Sequence, residues 1–158
     1  MNFDGFRVVD FSLSDFSGLL SLCGVGVVYV FFWISEEDGT PVPFYVGETN
    51  VLPARLGDYC RAAFAASTDF KVGEAAKYLS AVKHRRIVLK YKRSADEKAQ
   101  RCEEEDAIAS QMRTEGVRLL NDFRGYKYAT ASIDGERAAI HQFCDSLVES
   151  RTRVTKSE

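Results

Sequence analysis

A chain of 158 residues is the size of one domain, which commonly runs to ~100–200 residues. Apolar residues at 46%, aromatics at 12%, three prolines and eleven glycines supply a packed core and exclude a disordered, collagen-like or linker chain. The net charge of -2 carries no overall signal for nucleic acid.

The opening MNFDGFRVVDF lacks the basic, apolar and small-residue succession of a secretory leader, so none is expected. Gly18 to Ile34 is 17 residues without a charge. That is the floor of the ~17–25 apolar residues a spanning helix needs. Its flanks are Asp15 before and Glu36, Glu37 and Asp38 after, with no Lys or Arg at hand to anchor it. Its second half, 26–34 (GVVYVFFWI), is β-branched and aromatic and reads as a buried strand, so no membrane contact is expected.

A second strand is expected over 42–46 (VPFYV). Asp38-Gly39 between the two tolerates positive φ, so they should pair antiparallel through a hairpin. A helix follows from Pro53, a residue suited to a first helical turn, with Leu56, Tyr59, Cys60, Ala63 and Phe64 on one apolar face. The pattern then gives a short helix over 73–82, a third strand over 87–92 (IVLKYK) and a helix over 96–113, which contains no Gly or Pro. Thr114-Glu115-Gly116 ends that helix, and 117–131 reads as a loop. A last helix over 132–149 should turn Ile133, Ile140, Phe143, Cys144 and Leu147 inward. The expected fold class is α/β of the α+β kind: a small three-stranded antiparallel sheet flanked by helices, with an extra C-terminal helix. It forms a single domain over 1–150, followed by a polar tail over 151–158.

Charge is unevenly spread. Residues 1–44 carry six acids against Arg7 alone, whereas residues 71–101 carry ten bases against three acids. Within the latter, 83–93 (KHRRIVLKYKR) holds Lys83, His84, Arg85, Arg86, Lys90, Lys92 and Arg93 with no acid. Such a run is either a solvated face or a surface for phosphates. The cysteines Cys23, Cys60, Cys102 and Cys144 are 37, 42 and 42 residues apart, too far for a zinc knuckle. Without a leader they read as reduced, buried thiols in a cytoplasmic protein.

No phosphate-loop, dinucleotide or zinc-protease motif occurs, and the only histidines are His84 and His141. Three other features point to chemistry. Tyr45-Val46-Gly47 ends the second strand, where a glycine permits close backbone approach. Arg55 and Tyr59 lie four residues apart on the next helix and so share a face. Tyr29 is in the neighbouring strand of the hairpin, so two phenols and a guanidinium can converge beside it. The plainer alternative makes the tyrosines core aromatics and Arg55 a surface cation. Finally, Glu105 has Cys102, Ile108, Ala109 and Met112 at helical spacing around it, whereas Glu103 and Glu104 turn toward solvent. A carboxylate in an apolar stripe must be paired, protonated or bound to metal; a simple salt bridge is the plainer outcome.

Taken together, these residues resemble the GIY-YIG nuclease family over 24–122. Val27-Val28-Tyr29 corresponds to the first motif through its Tyr, and Tyr45-Val46-Gly47 to the second. Arg55 falls at the family's arginine, Tyr59 where a His or Tyr is common, Glu105 at the metal-binding Glu (Glu104 otherwise), and Asn121 at the closing Asn. The resemblance implies a metal-dependent endonuclease cutting DNA with one Mg²⁺, or Mn²⁺, held by Glu105. Arg55 would stabilise the transition state, and Tyr29 or Tyr45 would orient or deprotonate the attacking water. Tyr59 would bond the phosphate and Asn121 would brace the site, with 83–93 tracking the DNA backbone. A partner protein or a homodimer would supply specificity. Two departures are Val27 at the first glycine and Glu48 after Gly47. They favour the alternative of a non-cleaving nucleic-acid-binding module on the same fold. The acidic isoelectric point favours a third, an unrelated α/β interaction protein.

Overall fold

The computed structural model describes residues 1–11, 15–127 and 130–156. The fold is built on one four-stranded antiparallel sheet, not the expected three. Its strands are β1 (Arg7–Asp10), β2 (Cys23–Ile34), β3 (Pro41–Val51) and β4 (Ile87–Arg93), in the order β1-β4-β2-β3. The additional strand, β1, is only four residues long, too short for alternation to mark it. It is held by pairing with β4, Arg7 opposite Tyr91 and Asp10 opposite Val88. The helices are α1 (Leu52–Arg61), α2 (Ser67–Ala81), α3 (Lys98–Thr114) and α4 (Ile133–Lys156), with 3-10 turns over Ser17–Leu22 and Leu120–Asp122.

Strand β2 is apolar on both sides because both sides are covered. Val27, Tyr29, Phe31 and Trp33 join Leu56, Tyr59, Phe70, Leu79, Ile140 and Cys144 in a core beneath α1, α2 and α4. Val28, Val30 and Phe32 join Val46, Val88, Ile108, Ala109 and Met112 in a second core beneath α3. The uncharged stretch 18–34 is therefore a 3-10 turn and a central strand. No helix among the described residues is long and apolar enough to cross a membrane.

The hairpin forms as expected, with Gly39 at φ +70° in the turn. Strand β3 runs on to Val51 because Val27, Val28 and Tyr29 continue to pair with Thr49, Glu48 and Gly47. A bulge between the Phe31–Tyr45 and Phe32–Pro43 pairs leaves Phe44 unopposed, and it turns both Phe44 and Tyr45 into the α1-side core.

Helix α1 stops at Arg61, with Ala62 at φ 48°, so Ala63 and Phe64 lie beyond it. Helix α2 starts at Ser67, six residues before the expected 73. Gly73 looked like a boundary but is interior: a Cβ there would lie 2.1 Å from the Tyr59 carbonyl oxygen, so α1 and α2 touch backbone to helix. Helix α4 continues to Lys156 through most of the expected tail, and Ile133 at its start is exposed, not inward. Positions 128–129 of the expected loop and 157–158 of the tail lie outside the described residues. The cysteines form no disulfide; only Cys144 is buried, and Cys23 is exposed.

Candidate active site

The hairpin register sets Tyr29 opposite Gly47. A Cβ on Gly47 would lie 2.4 Å from the Tyr29 ring carbon and hydroxyl, so the phenol crosses β3 where β3 has no side chain. Beyond it, the Tyr29 and Tyr59 hydroxyls are 2.5 Å apart. The Tyr45 ring meets the Tyr59 ring edge-on at 6.2 Å. Tyr29 and Tyr59 are fully enclosed, and Tyr45, at 7% exposure, is buried too but the least so of the three. Gly47→Ala is expected to cost about 1–3 kcal/mol by driving the Tyr29 ring out of its slot. Thermal denaturation checks this, and a wild-type melting temperature would mean that the ring does not lie across β3.

Burial, added to by the neighbouring phenols, pushes Tyr29, Tyr45 and Tyr59 well above the ordinary tyrosine value. Arg55 pulls the other way without matching it. At neutral pH all three stay protonated, so they serve as hydrogen-bonding groups and not as bases.

Arg55 lies over the Tyr59 ring, its guanidinium carbon 4.5 Å from the centroid. Its Nη1 is 2.5 Å from Asp69 Oδ1 in the first turn of α2 and 3.8 Å from Asp58. The i, i+4 spacing with Tyr59 accounts for the stacking, whereas Asp69 is a partner that only the packing of α2 on α1 supplies. Asn121 spans the edge strand: its Oδ1 accepts from the Val46 N–H at 2.9 Å and its Nδ2 donates to the Val46 carbonyl at 2.8 Å. The side-chain amide thus replaces a fifth strand at one residue, next to Tyr45 and Gly47.

On the α3 side of β3, Glu105 is half-buried and meets no hydrogen-bond or ion-pair partner among the described residues. Burial first, then Glu48 and Asp106, raise its carboxyl to about 7. Tyr45 feels its charge across the strand. Ile108, Ala109 and Met112 are buried as expected, but Cys102 is only half-buried, so Glu105 stands at the rim of the stripe and not in its middle. Glu104 does not turn to solvent. Its carboxylate takes Lys92 at 2.7 Å and Ser94 at 2.6 Å, which outweighs its burial and holds its carboxyl below the usual range. With both oxygens engaged, it is a poor alternative ligand.

Two further groups complete the site. Glu48 Oε2 accepts from Arg101 Nε at 2.8 Å. Arg101, only 4% exposed, also donates from Nη1 to the carbonyls of Ala95 at 3.2 Å and Asp96 at 2.5 Å. Arg101 precedes Glu105 by one helical turn, a spacing readable in the sequence. Its partner Glu48 was not readable, because the pair spans two elements 53 residues apart.

The basic run 83–93 does not form one phosphate-facing row. Lys83 pairs with Asp145 at 2.8 Å, Arg85 with Glu36 at 2.7 Å, Arg86 with Asp10 at 3.2 Å and Lys92 with Glu104 at 2.7 Å. Lys90 lies over the Phe3 and Phe32 rings. His84, at φ 55°, and Arg93 are exposed. Asp10 and Glu36 come from the acidic first 44 residues, so the two halves of the charge asymmetry partly neutralise each other across the sheet.

The structure therefore brings Tyr29, Tyr45, Gly47, Arg55, Tyr59 and Asn121 together, with Glu105 behind the same edge strand. Lys83, Arg85, Arg86 and Lys92 of the basic run are paired elsewhere. Among the described residues no three His, Cys, Asp or Glu side chains are grouped to hold a metal, so a cation here would depend on one carboxylate, water and substrate oxygens. No family model, no curated protein and no solved structure matches this chain.

Proposed function

We propose that the chain is an endonuclease hydrolysing phosphodiester bonds in DNA with one divalent cation. The supporting observation is a guanidinium fixed over a protonated tyrosine cluster on one side of an edge strand and an unpartnered, half-buried carboxylate, close enough to act on Tyr45, on the other. The donor set suits Mg²⁺ or Mn²⁺, which accept one carboxylate and fill the remaining positions with water and phosphate oxygens. Once bound by Glu105, the cation would polarise a phosphate oxygen and stabilise the leaving oxygen.

The chain's own residues do the rest. Arg55, oriented by Asp69 and by the Tyr59 face, neutralises charge developing on the phosphoryl oxygens. Tyr45, the least buried member of the tyrosine cluster, would donate a hydrogen bond to the phosphate or the attacking water. Tyr29 and Tyr59 hold it from behind, and Asn121 keeps β3 from shifting. The second reading, a non-cleaving nucleic-acid-binding module, is favoured by Glu48: its charge helps raise the Glu105 carboxyl and so weakens it as a metal ligand, while Arg101 keeps Glu48 from repelling a phosphate. Specificity would come from a partner protein or a second copy of the chain.

Incubation with plasmid, branched and single-stranded DNA tests this. Cleavage is expected with Mg²⁺ or Mn²⁺ and none in excess chelator. The rate should rise as pH climbs through about 7, because the proton on Glu105 competes with the cation. Absence of cleavage of every substrate with both metals would refute hydrolysis and favour the binding module.

A further inference from the structure

With Lys83, Arg85, Arg86 and Lys92 of the basic run held by internal acids, that run presents no continuous row of cations, and a nucleic-acid strand needs another path to Arg55. A cleft of about 320 Å³ opens between the end of β3, the start of α1 and the start of α3. It is lined by Glu48, Thr49, Asn50, Arg55, Lys98 and Arg101. All six are polar, so the cleft is unsuited to an apolar ligand. The single acid, Glu48, is neutralised by Arg101. Arg55 shares its charge with Asp69. Lys98 is exposed and has no ion-pair partner among the described residues. The Asn50 amide makes no hydrogen bond among them either, and the Thr49 hydroxyl, which accepts from the Val51 N–H at 3.1 Å, keeps its own proton to donate. With Arg55 also 3.8 Å from Asp58, the cleft offers one unpaired cation, Lys98, beside short hydrogen-bond donors, a combination that a phosphodiester takes.

The geometry points to this cleft as the seat of the phosphate next to the scissile one, with Lys98 as its cation and Thr49 and Asn50 as its donors. A strand running from Lys98 toward Arg55 meets two cations on one polar wall, which lies against the edge strand that carries Tyr45. The inference rests on nucleic acid being the ligand of this site, but not on its being cut.

Amide NMR of the full chain in chelator tests it, with inorganic phosphate, a short oligothymidylate and a duplex as separate probes. The expected result is that all three shift Thr49, Asn50 and Lys98, the nucleic acids more tightly than phosphate. Lys98→Glu should weaken nucleic-acid binding about tenfold or more and lower the salt slope by about one. Arg86→Gln, just before the start of β4 and paired with Asp10, should leave binding unchanged, and both variants should melt as wild type. Shifts confined to 83–93, or wild-type binding by Lys98→Glu, would overturn the assignment. Phosphate binding as tightly as the nucleic acids would overturn the strand in favour of a small phosphate compound. Tight binding through Lys98 with no cleavage under any metal would support the cleft and remove only the hydrolysis.

Discussion

Glu105→Gln is expected to abolish cleavage and, in the same protein, to raise its stability above neutral pH. The two effects have one cause. Glu105 is half-buried, beside Glu48 and without a hydrogen-bond partner, so its charged form is disfavoured and its carboxyl rises to about 7. A raised carboxyl binds a proton in the folded chain at a pH where the unfolded chain has lost it. The stability this brings is whole below the ordinary glutamate value of ~4.3 and is lost as pH rises through about 7. Above neutrality the metal-free protein carries an unpaired, partly buried charge. Gln removes it and should recover about 1–2 kcal/mol at pH ~8, a figure already lowered for the solvent that reaches the group. The amide cannot supply the anionic ligand, so cleavage should fall by about 100-fold or more. Thermal denaturation across pH and a nicking assay read the two arms. Unchanged cleavage would remove Glu105 from the site. Lost cleavage with lost stability at all pH would make its role a structural one.

Arg101→Ala is expected to give the largest loss of stability, about 2–4 kcal/mol, because it leaves Glu48, at 13% exposure, without its cation. It also removes two bonds to the Ala95 and Asp96 carbonyls that fix the entry to α3. Since α3 carries Glu105, the same variant should lower cleavage even where it remains folded. Adding Glu48→Gln to Arg101→Met should restore much of the stability, since a matched loss removes the orphaned charge. Urea denaturation measures both. A cost below about 1 kcal/mol for Arg101→Ala would show that solvent reaches the pair and screens it.

Much of the site was legible because it depends on short-range geometry. The Asp38-Gly39 turn fixes the hairpin, the hairpin register sets Tyr29 opposite Gly47, and the four-residue spacing puts Arg55 on the Tyr59 ring. Helical phase placed Glu105 near the apolar stripe of α3, but it did not show that Glu105 stands at the stripe's rim without a partner or that Glu104 is bound to Lys92. The expected outward turn of Glu104 failed because phase identifies the apolar side of a helix and not what the adjoining strand presents. Strand β1 escaped notice because four residues carry too little pattern, and its stability comes from β4. The basic run misled for a related reason: Asp10, Glu36, Glu104 and Asp145, which neutralise it, lie in four other segments.

What the chain's order of residues determined by itself is local: which segments extend, which coil, and which side chains share a face, since these follow from turn chemistry and periodicity over a few residues. What tertiary structure alone decided is which charges meet. Asp69 claims Arg55, Arg101 claims Glu48, and the acidic opening segment claims part of the basic run, while Lys98 and Glu105 are among the charged groups left without partners among the described residues. Electrostatic pairing acts across space and without regard to sequence separation, so the free charges appear only after every competing partner has been brought to its place.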